Sequence, residues 1–206
     1  MSPPPVIRLA SEADAPGVAA IYAPIVARTP ISFEIDPPTV EEIAARIGGV
    51  LPAHPWLVAE AGERPGERSG AGEQVAGFAY ARPYHPRAAY RWSVETSLYV
   101  AERHRGEGFG RVLYQALFAL LAAQGFRQAI AGSVVPNPPS IALHESCGFV
   151  SLGVQRRIRW KLGAWHDVVW MQKEIIGGDS PPEAPVPVDQ LPESVVAQAL
   201  QVAPRR

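Results

Sequence analysis

Residues 103–111 read Arg103-His104-Arg105-Gly106-Glu107-Gly108-Phe109-Gly110-Arg111. The run before them, Thr96-Ser97-Leu98-Tyr99-Val100, has the composition of a β-strand. The run after them places Val112, Leu113, Leu117, Leu120 and Leu121 at helical spacing. Strand, glycine-rich turn and helix in that order build a cradle for an anion. Glycine lets the backbone approach closely and aim several N–H groups at one point. The helix behind it adds unpaired N–H groups and the positive end of its dipole. Arg103, Arg105 and Arg111 add formal charge. The alternative is a glycine turn with a structural role only.

The spacing Arg105-x-x-Gly108-x-Gly110 lacks the further glycine of a dinucleotide fingerprint and the Gly-Lys-Ser/Thr ending of a P-loop. It resembles the pyrophosphate-binding motif of the GCN5-related N-acetyltransferases (GNAT). Other segments resemble that family in the same order. Asn137-Pro138-Pro139-Ser140 through Cys147-Gly148-Phe149 is similar to its second acetyl-CoA segment. Trp92–Val100 resembles the central strand of its phosphinothricin N-acetyltransferase branch. Gly163-Ala164-Trp165-His166-Asp167-Val168 and Trp170-Met171-Gln172 resemble that branch's last hairpin. The similarity runs from about Val6 to Ile175.

The resemblance implies an α/β fold of GNAT type. A mixed central sheet is flanked by helices, and splayed central strands form the acetyl-CoA cleft. Residues 1–176 would form that domain. Acetyl-CoA is the implied cosubstrate, with no metal. It would be held by Leu98, Tyr99 and Val100 in the manner of strand addition. Arg105, Gly106, Glu107, Gly108, Phe109, Gly110 and Arg111 would hold the pyrophosphate, and Asn137 and Ser140 the pantetheine. Asn137 is also a good N-cap for the helix that follows. Relatives of this branch are typically homodimers, which is the expectation here.

Acetyl transfer needs a base for the amine, polarisation of the thioester carbonyl, and stabilisation of the departing thiolate. Two-residue alternation puts Ser93, Glu95, Ser97 and Tyr99 on one face of the central strand and Val94, Thr96, Leu98 and Val100 on the other. Glu95 is the candidate base. A structural glutamate paired with Arg87 or Arg91 is the alternative. His144 stands where many relatives place a proton-donating tyrosine. It is the candidate acid, or else a helix histidine that only packs. The irregular basic and aromatic loop 81–92 suits a small amino acid with a carboxylate and a second polar group. Arg87 and Tyr90 match substrate-binding positions of the family. His85 stands where the branch tends to carry a basic residue, Ser97 shares the Glu95 face, and Phe33 is expected to cover the ligand.

Of the 206 residues, 47% are hydrophobic and 19% charged, which fits one globular domain. The net charge of −1 gives no reason to expect nucleic acid. No apolar run is long enough to span a membrane, and the N-terminus lacks a secretory signal pattern. The single cysteine, Cys147, reads as a small core residue and fits a reducing cytoplasm. His54, His104 and His166 have no partners at zinc spacing.

The sequence predicts strands at Val6–Leu9, Trp56–Ala59, Val75–Tyr80, Trp92–Val100, Ala129–Val134, Val154–Leu162 and Trp165–Lys173. It predicts helices after Ser11 and after Thr39, and at Gly108–Gln124 and Pro139–Cys147. Pro24 is expected to kink or interrupt the first helix, and Gly48-Gly49 to end the second. Ala61–Glu73 reads as a solvated loop. Residues 177–206 read as an extended, flexible Pro-rich tail, with a docked helix as the alternative.

The expected activity is acetyl-CoA-dependent N-acetylation of a small amino acid or analogue, of the phosphinothricin or methionine sulfoximine/sulfone type. The rivals are another small amine, a protein N-terminus, or a non-catalytic acyl-CoA sensor.

Overall fold

The computed structural model describes residues 5–62, 75–180 and 182–201. Most of the loop read at Ala61–Glu73, and Val202 of the tail, lie outside the described residues.

Seven strands form the sheet: β1 (Val6–Leu9), β2 (Trp56–Glu60), β3 (Val75–Pro83), β4 (Ser93–Val100), β5 (Gln128–Val135), β6 (Val150–Lys161) and β7 (Ala164–Glu174). Their order across the sheet is β1-β2-β3-β4-β5-β7-β6. All neighbours are antiparallel except β4 and β5. That parallel pair is short: Ser93, Val94 and Glu95 face Gln128, Ala129 and Ile130, and there the pairing stops. Beyond Glu95 the two strands diverge while each continues, β4 to Val100 and β5 to Val135. This is the splay expected of the fold.

Strand alternation sends side chains into two cores. On one face, Trp56, Val58 and Phe78 pack with α1 (Ala15–Arg28) and α2 (Val40–Val50). On the other, Leu57, Ala59, Ala79, Ala81 and Val94 pack with α3 (Phe109–Gln124). Leu113, Leu117, Leu120 and Leu121 of α3 are fully buried. Each contributes about 1.5–3 kcal/mol of transfer free energy. The chain continues through α4 (Pro138–Ser146) into the β6–β7 hairpin.

Local signals fix most boundaries. Thr39 and Glu42 cap α2 reciprocally. Gly125 ends α3 in the left-handed conformation, with φ of 93°. Three expectations need correction. The helix α1 runs through Pro24 without interruption. Ala20, four residues earlier, is exposed, so the carbonyl that proline leaves unpaired can reach water. The helix α2 runs through Gly48 and Gly49 because Val50 and Leu51 beyond them pack against the core of Trp56, Val58 and Phe78.

The third correction concerns the tail. Its latter part forms α5 (Glu193–Leu200), with Ala199 buried and Val196 and Leu200 packed on the α3 core. The chain before it is tied down as well. Trp92 Nε1 donates to Glu183 O at 2.7 Å, and Gln124 Nε2 donates to Val186 O at 2.8 Å. A buried glutamine amide that needs an acceptor, and the apolar side chains of α5, outweigh the bias of the prolines toward a free extended chain.

Candidate active site

The cradle forms as its residues dictate. Gly106 and Gly108 have φ of 80° and 90°, a region open to glycine and strained for other residues. Nothing lies within 4 Å of a Cβ placed on either, so the space above this backbone is open. Gly108 is the N-cap of α3 and leaves the first helical N–H groups without partners inside the helix. His104 braces the turn from beneath. Its Nδ1 meets Glu107 Oε2 at 2.9 Å, and its Nε2 accepts from Arg103 Nε at 3.1 Å. Glu107 therefore steadies the loop instead of lining the cleft.

From the cradle a cleft of about 540 Å³ runs into the splay. Leu98, Tyr99, Val100, Arg105, Gly106, Gly108, Phe109, Gly110, Arg111, Asn137, Ser140 and His144 all line it, as the sequence predicts. Ile25, Ile31, His104, Pro139 and Leu143 line it too. The unpaired edge of β4, the positive end of α3 and the two arginines Arg105 and Arg111 fit an extended ligand carrying phosphates at one end and amides along its arm. Acetyl-CoA has that form.

Asn137 caps α4, with Oδ1 accepting from Ser140 N at 3.4 Å, while also lining the cleft. The capping reading is thus seen directly, and the residue is also placed where a ligand in the cleft could meet it. One turn on, His144 is buried beneath the cleft wall. Its Nδ1 lies 2.7 Å from the Ser140 carbonyl and its Nε2 2.8 Å from the Tyr114 hydroxyl. A carbonyl only accepts, so Nδ1 carries the hydrogen and Nε2 accepts from Tyr114. Burial pushes the His144 pKa below its ordinary value, and the bond to Ser140 opposes this. Burial thus favours the neutral imidazole at the position that the sequence reads as a candidate acid or a packing histidine.

Glu95 sits on β4 at the last rung before the splay. Its side chain is 17% exposed. Arg82 Nη2 donates to its Oε1 at 2.9 Å. The partner is thus neither Arg87 nor Arg91 but the residue directly across the β3–β4 ladder. Ser97 lies opposite Tyr80 on the same face. Tyr22, Tyr80 and Tyr99 crowd this side, and burial raises the pKa of all three phenols, that of Tyr22 to about 12. Tyr22 donates to Glu34 Oε1 and accepts from Ser32 Oγ. Arg46 holds both oxygens of Glu34.

The loop between β3 and β4 exposes Tyr84, Arg87 and Tyr90, none of which lines the cofactor cleft. His85 packs against Tyr90 with ring centroids 4.8 Å apart. The Arg87 guanidinium has no carboxylate partner among the described residues. Phe33 leans over the β5 splay: its ring lies edge-on to Trp170, and both rings crowd Gly132, where a Cβ would meet them at 3.1–3.3 Å.

Sequence reading misses the residues that hold Phe33. Arg159 and Lys161, on β6, reach back across the molecule. Arg159 donates to the carbonyls of Pro30 and Ser32 at 2.9 and 3.2 Å and stacks on the Phe33 ring at 3.8 Å. Lys161, also buried, donates to the Ser32 carbonyl at 3.1 Å. Only the cation-rich spelling Arg156-Arg157-Ile158-Arg159-Trp160-Lys161 hints at such a role.

The sheet with its splay, the glycine cradle at the helix N-terminus and a polar strand face beside the gap define an acetyltransferase site. Residues 7–170 match the acetyltransferase (GNAT) domain family, and the chain belongs to it. A phosphinothricin N-acetyltransferase of Streptomyces viridochromogenes is 37% identical over 93% of this chain and 100% of its own length. One from Alcaligenes faecalis is 40% identical over 84% of each chain. Among solved structures, a GNAT-superfamily phosphinothricin acetyltransferase from Sinorhizobium meliloti, in complex with acetyl-CoA, superposes with a TM-score of 0.78. It is 33% identical, covering 87% of this chain and 93% of that one. The chain is an N-acetyltransferase similar to the phosphinothricin acetyltransferases.

Proposed function

We propose that this enzyme acetylates the amino group of a small amino acid or analogue, of the phosphinothricin or methionine sulfoximine/sulfone type, by direct transfer from acetyl-CoA. The observation that carries the reading is the place of Glu95, a mostly buried carboxylate at the point where β4 leaves β5. The acceptor enters as an ammonium and gives one proton to Glu95. The freed nitrogen attacks the thioester carbonyl carbon, the tetrahedral oxyanion collapses, and the C–S bond breaks. The nitrogen gives its remaining extra proton to solvent water, and the sulfur leaves as thiolate.

His144 is proposed to steady that thiolate by turning Nδ1–H from the Ser140 carbonyl to the sulfur. Because burial disfavours the imidazolium, it gives a hydrogen bond instead of a full charge. Arg87 is proposed to grip the acceptor's carboxylate, with His85, Tyr90 and Ser97 shaping the pocket and Phe33 covering it. The exposed Leu152, Val154, Ile158 and Trp160 on outer strand β6 support a homodimer through that face. No helix among the described residues is long and apolar enough to cross a membrane. The cytoplasm is the proposed compartment.

Thiol release from acetyl-CoA, followed across an amine panel including phosphinothricin, methionine sulfoximine and methionine sulfone, tests the reading. Turnover of at least one of these, well above that of simple amines, is expected. Acetyl-CoA binding with no thiol release across the panel would turn the assignment toward a sensor.

A further inference from the structure

Arg82 belongs to no motif, yet it makes the only hydrogen bond to the Glu95 carboxylate among the described residues. Resting on Glu95 as the base, we propose that Arg82 is its positioning residue: Nη2 holds Oε1, and Oε2 is thereby turned to the amine. The two residues are directly opposed on neighbouring antiparallel strands, so the backbone itself fixes their separation. At 52% exposure Arg82 closes the pair from the solvent side, while Glu95 stays mostly covered.

One cation acts on this carboxylate at contact distance. Of the other charged or titratable groups, Tyr80 on β3 and Tyr22 and Tyr99 nearby are neutral phenols. Glu34 lies close enough to Arg82 to feel its charge but is matched by Arg46 of α2. Arg87 and Arg91 form no ion pair with Glu95. Removing Arg82 would leave a covered carboxylate with no partner and a free rotamer. A carboxylate aimed along one direction also needs less reorganisation when the ammonium arrives.

The test is the steady-state kinetics of wild type, Arg82→Leu and Arg82→Lys, with kcat and the KM of each substrate read separately. In Arg82→Leu kcat should fall about tenfold. The KM for acetyl-CoA should stay within about twofold, because Arg82 is not in the cofactor cleft. Arg82→Lys should restore kcat in part, since an ammonium keeps the charge but not the planar fork. If Arg82→Leu does not fold, Arg82→Gln removes the charge at similar length and should lower kcat likewise. A kcat kept at the wild-type level in these charge-removing variants overturns the proposal. Full turnover by Glu95→Gln would instead defeat the base assignment beneath it, so the two failures are distinguishable.

Discussion

Tyr114 and His144 share a buried hydrogen bond of 2.8 Å, and with the Ser140 carbonyl it fixes the imidazole as a neutral donor–acceptor. Folding thus lowers the His144 pKa from its ordinary 6.5. The unfolded chain then binds more protons than the native one just below that value. The contribution of His144 is fully present above pH 6.5 and is lost as pH falls through the lower native pKa. Denaturant unfolding at a series of pH values should show stability declining below about pH 6.5, with the decline reduced in His144→Asn. Tyr114→Phe should cost about 1–3 kcal/mol, because it leaves a buried ring nitrogen unpaired. An unchanged midpoint in Tyr114→Phe would contradict the bond.

Glu95→Gln keeps the shape of the side chain and removes its capacity to take a proton. Turnover should fall by about 10²–10⁴-fold with acetyl-CoA affinity nearly kept. Steady-state kinetics beside calorimetric binding of acetyl-CoA separates the two effects. Near-normal turnover at neutral pH would make Glu95 structural.

Gly110 faces the cleft walls. A Cβ there would stand 2.9 Å from Leu143 Cδ2 and 3.4 Å from Leu98 Cδ2. Gly110→Val should therefore wedge into the cleft and abolish most of the thermal shift that saturating acetyl-CoA gives the wild type. Gly108→Ala meets no atom but must hold a positive φ, at a cost of about 1–2 kcal/mol. An equal shift in wild type and Gly110→Val would remove the cradle assignment.

Arg87 is exposed and has no carboxylate partner among the described residues, and a bidentate grip on a substrate carboxylate would fix the direction of the amine. Arg87→Ala should raise the KM for the amino acid and leave that for acetyl-CoA nearly unchanged. Esterifying the substrate carboxylate should mimic the mutation in wild type and add little in the mutant. Full additivity of the two changes would show that the two groups do not meet.

The cradle, the polar face of β4 and the α4 cap are legible in the sequence because each is local. Glycine spacing, two-residue alternation and a capping asparagine declare themselves within a few positions. What the sequence hides is carried by distance along the chain. Arg82 meets Glu95 only once the β3–β4 register is set, and nothing in the spelling of β3 marks it. Tyr114 reads as one more apolar-face residue of α3 until α4 brings His144 against it. The helix α5 is short and weakly patterned, and its docking depends on a surface that α3 provides from far upstream. His144 lines the cleft, but its bias toward the neutral form follows from burial, which a motif does not encode.

The carbonyl of Ser32 is held from the far end of the molecule, by Arg159 and Lys161 of the penultimate strand. Ser32 and Glu34, on either side of Phe33, are held as well by Tyr22 and Arg46 of the first two helices. The Phe33 segment is thus pinned by parts of the chain near its start and near its end. Its side chains are fixed early in the sequence and its backbone carbonyl late, so its final placement is complete only when the penultimate strand has docked.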